Sequence, residues 1–175
     1  MNDLVRQKAQ AIKLLVLDVD GVLTDGTVWY GSAKEPEIKG FNIQDGLGIK
    51  LAQRAEIEVA IITGRESEAV DQRASELGIQ LLLQGREDKG IALEELLTHC
   101  NLSVSQVAYM GDDLPDLSAI RKAGLGTCPH DAVDAVREIS DWISPQAGGH
   151  GAVRSLCDML LDAQGKWGEI MEAYR

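Results

Sequence analysis

Three aspartates fall within eight residues at the end of a hydrophobic run, LLVLDVDGVLTDG (residues 14–26). Carboxylates repel one another and resist losing water. Asp18, Asp20 and Asp25 in one loop therefore call for a cation, a division of chemical roles, or a solvated turn. Related residue types recur further along. VAIITGR ends in Thr63, Gly64 and Arg65, GREDKG brings Lys89, and AYMGDDLPD brings Asp112, Asp113 and Asp116. Several carboxylates with a lysine, a hydroxyl and glycine N–H groups suit phosphoryl transfer. Carboxylate oxygens bind Mg²⁺ together with phosphate oxygens. The ammonium, the hydroxyl and loop N–H groups spread the charge of a transferring phosphoryl group. One carboxylate can attack phosphorus, while a second protonates the leaving alkoxide and then deprotonates water.

Such a set works only if the fold gathers it. Strand signals fall at 13–17, 59–63, 80–83, 106–110, 125–128 and 141–143, and helical signals at 45–55, 66–77, 89–99, 114–123, 132–139 and 152–163. Runs such as LLVLD and VAIIT are continuously apolar, which indicates strands buried on both faces. Their alternation with helices predicts one α/β domain, residues 1–175, built on a doubly wound parallel sheet. Ligands bind beyond the carboxyl ends of such strands, where all four acidic, hydroxyl and lysine motifs lie. TVWYGSAKEPEIKGFNI breaks the alternation with two β-prone runs, 28–30 and 38–42, and predicts a projecting β-hairpin.

Composition narrows the class. The chain has 175 residues, 45% hydrophobic and 26% charged, as expected of a globular protein with a sizeable core. A net charge of −11 argues against a nucleic-acid partner. No apolar run has membrane length, and the first residues carry no apolar signal core, so no membrane association and a cytoplasmic location are expected. Cys100, Cys128 and Cys157 form no CxxC pair and suit reduced structural thiols.

The quoted motifs, in this order, resemble the haloacid dehalogenase superfamily of phosphohydrolases. The resemblance implies a Rossmann-like fold and Mg²⁺ as cofactor. It makes Asp18 the nucleophile and a metal ligand. Asp20 becomes the acid/base and offers the metal its backbone carbonyl. Thr63 and Lys89 hold the phosphoryl group, Asp112 ligates the metal, and Asp113 and Asp116 support it. Only 43 residues separate Asp20 from Thr63, and 26 separate Thr63 from Lys89, which leaves no room for a cap domain. LDVDGVLTDG, FNIQDGLGI, EVAIITGRES, GDDLPD and GGHGAVRSLCDMLLDAQGK further resemble the capless subfamily of 3-deoxy-D-manno-octulosonate (KDO) 8-phosphate phosphatases, across nearly the whole chain. That resemblance implies a sugar phosphate substrate and a place in lipopolysaccharide biosynthesis. It also implies a homotetramer whose hairpins meet centrally and whose neighbouring subunits cover each site.

Other readings stand beside these. Asp25 suits a turn, and Asp116 a helix cap. Arg65 and Arg73, with Gly64, are candidates to bind the sugar, its carboxylate above all, or they pair with Glu66 and Glu76. Gly148, Gly149 and Gly151 predict a pliable segment able to close over the sugar with His150 and Arg154, or merely a flexible helix entry. Trp29, Tyr30 and Phe41 predict an apolar subunit contact. A nine-carbon sialic-type sugar acid 9-phosphate is an alternative substrate. A receiver-like signalling domain and a non-catalytic module are alternatives of other classes.

Overall fold

A computed structural model describes residues 2–31 and 37–174. Six parallel strands form one sheet: β1 (Leu14–Leu17), β2 (Glu58–Ile62), β3 (Leu81–Leu83), β4 (Val107–Met110), β5 (Leu125–Cys128) and β6 (Trp142–Ile143). Their order is β3-β2-β1-β4-β5-β6. This is the doubly wound order with its switch point between β1 and β4, and it differs from the 2-1-3-4-5 order of receiver-type sheets.

The apolar strands divide their side chains between two cores. On one face Leu15, Leu17, Val59, Ile61, Ala108 and Met110 pack with helices α1 (Asp3–Gln10), α2 (Ile43–Arg54), α3 (Glu68–Leu77) and α7 (Ala152–Ala163). On the other, Leu14, Val16, Ala60, Ile62, Val107 and Tyr109 meet α4 (Lys89–Cys100) and α5 (Leu117–Lys122). The two-residue period of a strand accounts for the split. Cys128 and Cys157 are buried in these cores, and burial pushes both thiols up.

Several boundaries differ from the sequence expectation. The 114–123 helix opens as a 3₁₀ turn, Leu114–Asp116, before α5, because Asp113 caps a turn with Pro115 inside it. Only α6 (Asp134–Arg137) forms within 132–139. Two helices lacked a clear pattern. In α1 only Val5 and Ala9 are buried, and in α8 (Trp167–Glu172) no residue is. The predicted hairpin is joined, among the described residues, by one antiparallel bridge, Trp29 with Ile38. Its turn, residues 32–36, lies outside them. Trp29, Tyr30 and Ile38 are 62, 75 and 64% exposed. Phe41 differs: it packs on the protein's own core, under the Arg73 guanidinium, rather than joining that apolar patch.

The glycine-rich segment is a brace, not a pliable flap. Gly149 N–H donates to the Val22 carbonyl at 3.0 Å, and Asp131 accepts from Gly148 N–H at 2.9 Å. A Cβ on Gly148 would lie 1.9 Å from the Gly21 carbonyl oxygen, so this backbone rests directly on the loop that follows β1. Nearby, His150 turns back to the Gly148 carbonyl, and Arg154 pairs with Asp158.

Gly148→Ala is therefore expected to cost about 1–3 kcal/mol of stability, as overpacking does. Gly168→Ala, where nothing lies within 4 Å, should change stability by at most about 1 kcal/mol. Thermal melts of the two variants compare them, and equal effects would refute the bracing role.

Candidate active site

Each functional side chain leaves the carboxyl end of a strand. Asp18 directly follows β1, and its N–H still bonds the Met110 carbonyl at 3.0 Å. Thr63 follows β2 and exchanges backbone bonds with Leu83 and Arg86, which fixes it beside the end of β3. Lys89 is the first residue of α4. Asp112 and Asp113 follow β4 by two and three residues. The loops converge on a cleft of about 650 Å³ lined by Asp18, Asp20, Thr63, Gly64, Arg65, Lys89, Asp112, Asp113 and Asp116, joined by Gly26, Glu87 and Pro115.

At its floor one ammonium binds two carboxylates. Lys89 Nζ lies 2.7 Å from Asp18 Oδ2 and 2.6 Å from Asp116 Oδ1, with all three residues buried. Asp116 is saturated by further donors: Tyr109 Oη at 2.8 Å, Asp112 N–H at 3.0 Å and Asp113 N–H at 3.2 Å. It is thus the anchor of Lys89 as well as the residue that ends the turn. Tyr109 was not foreseen, because a strand position reveals which core it enters but not what its hydroxyl meets. Burial disfavours the charge on Lys89, yet Asp18 and Asp116 outweigh it and raise the ammonium's pKa.

Asp112 completes the acidic group. Oxygens of Asp18, Asp112 and Asp116 lie within 4.8 Å of one another. Gly21, at φ +86°, makes this approach possible, since a Cβ there would meet Asp112 Oδ2 at 2.1 Å. Asp112 Oδ1 is buried without a hydrogen-bond partner. Burial, then the charges of Asp18 and Asp116, push Asp112 up to about 8. Burial and then Asp116 raise Asp18 to about 7, against the pull of Lys89. An orphaned buried oxygen and two reluctant carboxylates fit a hard divalent cation, which would take Asp18 and Asp112 as ligands.

The remaining predicted residues fall into two groups. Asp20 and Arg65 face the cleft, with Arg65 Nε 3.8 Å from Asp20 Oδ2. Asp113 lies at the rim, where its carboxylate accepts from Leu114 N–H at 2.7 Å. Asp25 accepts from Thr27 N–H at 2.9 Å and is a turn residue, as expected. Arg73 does not line the cleft. Its guanidinium stacks 5.7 Å from the Phe41 ring centre and donates to the Asn42 carbonyl and to Glu76. Lys39 and Glu37, absent from the sequence reading, stand behind Asp20.

A parallel sheet with acidic loops at its carboxyl edge, a lysine opening the helix after β3, and no inserted cap among the described residues is the build of a haloacid dehalogenase-like hydrolase. Residues 82–156 match that family's profile. The chain is 47% identical over 165 residues to 3-deoxy-D-manno-octulosonate 8-phosphate phosphatase of Escherichia coli (strain B / BL21-DE3), which covers 94% of this chain and 87% of that one. A Moraxella catarrhalis phosphatase of the same name, crystallised with magnesium, phosphate and KDO, superposes with a TM-score of 0.95 at 44% identity over 98% of each chain. The cobalt-bound Haemophilus influenzae enzyme does so with a TM-score of 0.91 at 40% identity, over 96% of this chain and 98% of that one. The chain therefore belongs to the haloacid dehalogenase-like hydrolases, and within them to the family of 3-deoxy-D-manno-octulosonate 8-phosphate phosphatases.

Two measurements follow. Asp116→Asn should destabilise the fold by about 3–5 kcal/mol, because it leaves a buried ammonium half-paired. Tyr109→Phe, which removes one neutral donor, should cost about 1 kcal/mol. Denaturant melts that rank the two the other way would contradict the anchoring role. The raised carboxylates give a second test. Their folded pKa values exceed the unfolded ones, so in chelator they contribute to stability below about pH 4 and that contribution is lost as pH rises through about 7 to 8. A bound cation displaces these protons, so the stabilisation by Mg²⁺ should be larger at pH 8 than at pH 6. In Asp112→Asn that difference should shrink.

Proposed function

We propose that the protein is a magnesium-dependent phosphatase that hydrolyses KDO 8-phosphate to KDO and phosphate through an aspartyl-phosphate on Asp18. It would act in the cytoplasm, in lipopolysaccharide biosynthesis. The observation that carries this is the strand-end cluster of Asp18, Lys89 and Asp112, in a chain 44% identical to the Moraxella enzyme that binds magnesium, phosphate and KDO.

Asp18 is the nucleophile. Its carboxylate lies on the cleft floor, oriented by the Lys89 ammonium rather than by solvent. Lys89 keeps its charge through two buried carboxylates and offers it to an entering phosphoryl oxygen. Thr63, 2% exposed at the end of β2, adds a hydroxyl, and Gly64 a backbone N–H. Asp20, two residues beyond the nucleophile, gives a proton to the departing sugar oxygen. It then takes one from the water that cleaves the acyl phosphate. Asp18, Asp112 and the Asp20 carbonyl would hold Mg²⁺, which when bound neutralises phosphoryl oxygens and the crowded carboxylates. Arg65, half exposed at the mouth, is placed to meet a sugar carboxylate.

The cleft's outer side is a matter for assembly. With two exposed aromatic residues on the hairpin, we propose a homotetramer in which neighbours cover each site. Sedimentation should give four times the chain mass, and a fully active monomer would refute that part.

For the activity, phosphate release should be greatest with KDO 8-phosphate and vanish in chelator. Asp18→Asn should lose at least about a thousandfold in kcat, since an amide is a poor nucleophile. Rapid acid quench should trap labelled phosphate on Asp18. Equal turnover of simple hexose phosphates, or preference for a nine-carbon sugar acid 9-phosphate, would overturn the substrate assignment but leave the chemistry.

A further inference from the structure

Behind the cleft four charged side chains close a ring. Lys39 pairs with Asp20 Oδ1, and its ammonium lies 3.5 Å from Glu37 Oε1. Glu37 Oε2 accepts from Arg65 Nη2 at 2.8 Å, and Arg65 Nε returns to Asp20 Oδ2 at 3.8 Å. The signs alternate around the ring. Asp20 and Arg65 face the cleft, whereas Lys39 and Glu37 come from the return segment of the hairpin and do not line it. The Lys39 side chain is 1% exposed, against 46% for Arg65. An ammonium so buried, with no substrate to touch, needs a reason to be a lysine.

We propose that Lys39 is a positioning residue for the phosphatase reaction. It fixes the Asp20 carboxylate in the rotamer that hands a proton to the leaving oxygen, and Glu37 holds Lys39 in turn. This rests on the reading of Asp20 as acid/base given above. Asp20 opens the glycine-containing turn after β1 and lines the cleft with its side chain 24% exposed, so its own χ angles are not set by apolar packing. One carboxylate oxygen is held by Lys39, which leaves the other at the mouth, beside Arg65. Arg65 is exposed and forms the longest contact of the ring. It can leave to meet an anionic substrate while Lys39 keeps Asp20 in place. Lys39 thereby also ties the base of the hairpin to the reacting centre.

The test uses the leaving group. A sugar alkoxide needs a proton as it departs, whereas p-nitrophenolate does not. The ratio kcat/KM reports steps up to that departure. Lys39→Met, nearly matched in length, should lower kcat/KM for KDO 8-phosphate by about 10²-fold, mostly in kcat, the scale of a mispositioned general acid. For p-nitrophenyl phosphate the loss should stay within about threefold, and Lys39→Arg should restore part of the sugar phosphate activity. Asp20→Asn should show the same leaving-group discrimination, and adding Lys39→Met to it should change kcat/KM by no more than about threefold, as expected when one residue acts only through another. A like loss on both substrates, or an undiminished effect of Lys39→Met in the Asp20→Asn background, overturns the positioning role while leaving the acid/base assignment intact. Absence of discrimination in Asp20→Asn itself would fell that assignment and this role with it. Should Lys39→Met not fold, Glu37→Gln, which loosens Lys39 without emptying the ring, is expected to show the same pattern more weakly.

Discussion

One buried ammonium sets the terms for everything around it. Lys89 lies between Asp18 and Asp116, and without it three carboxylates within 4.8 Å would stand unneutralised at the end of a dry sheet. The pair repays its desolvation only because the other lone pairs are used as well. Tyr109 and two backbone N–H groups saturate Asp116, so its charge is fixed and available to Lys89. Asp18, by contrast, lines the cleft.

The sheet makes this arrangement possible. Continuous parallel pairing of β1 with β2 and β4 brings Asp18 between the ends of two strands, with no turn of its own to tune. The loops beyond supply what strands cannot: a left-handed glycine that admits Asp112, a 3₁₀ turn that aims Asp116, and a helix start that delivers Lys89. Charge is arranged in two tiers, a buried floor around Lys89 and a ring around Asp20 that runs from the buried Lys39 to the half-exposed Arg65. In the lower tier Asp18, Lys89 and Asp116 are all buried. The upper one keeps a half-exposed arginine, Arg65.

How much of this was legible in the sequence depends on distance along the chain. Asp18, Asp20, Thr63, Lys89 and Asp112 could be placed because each ends an unmistakably apolar strand or opens the next helix. The strand ends and the sheet's class follow from the same pattern. Lys39 could not be placed, since it meets Asp20 from 19 positions further along the chain, beyond any helical or strand period. Arg73 shows the converse. An arginine fork suits a carboxylate, but only the fold reveals that it lies on Phe41 and donates to the Asn42 carbonyl at the start of α2. The glycines of residues 148–151 invited a reading as flexibility, whereas two of them are small so that one backbone can touch another. Helix α1 stayed hidden because two buried residues make no stripe.

That last contact joins distant parts of the chain. The turn carrying Gly21 is written near the beginning of the message, and the segment that props it up, at Gly148 and Gly149, is written near the end. During synthesis the first half of the site waits, without its support, for on the order of ten seconds while the intervening residues are added. The loop that begins with Asp18 and Asp20 is thus made long before the backbone that braces it. The two ends of the chain meet there backbone to backbone, through residues that have no side chain.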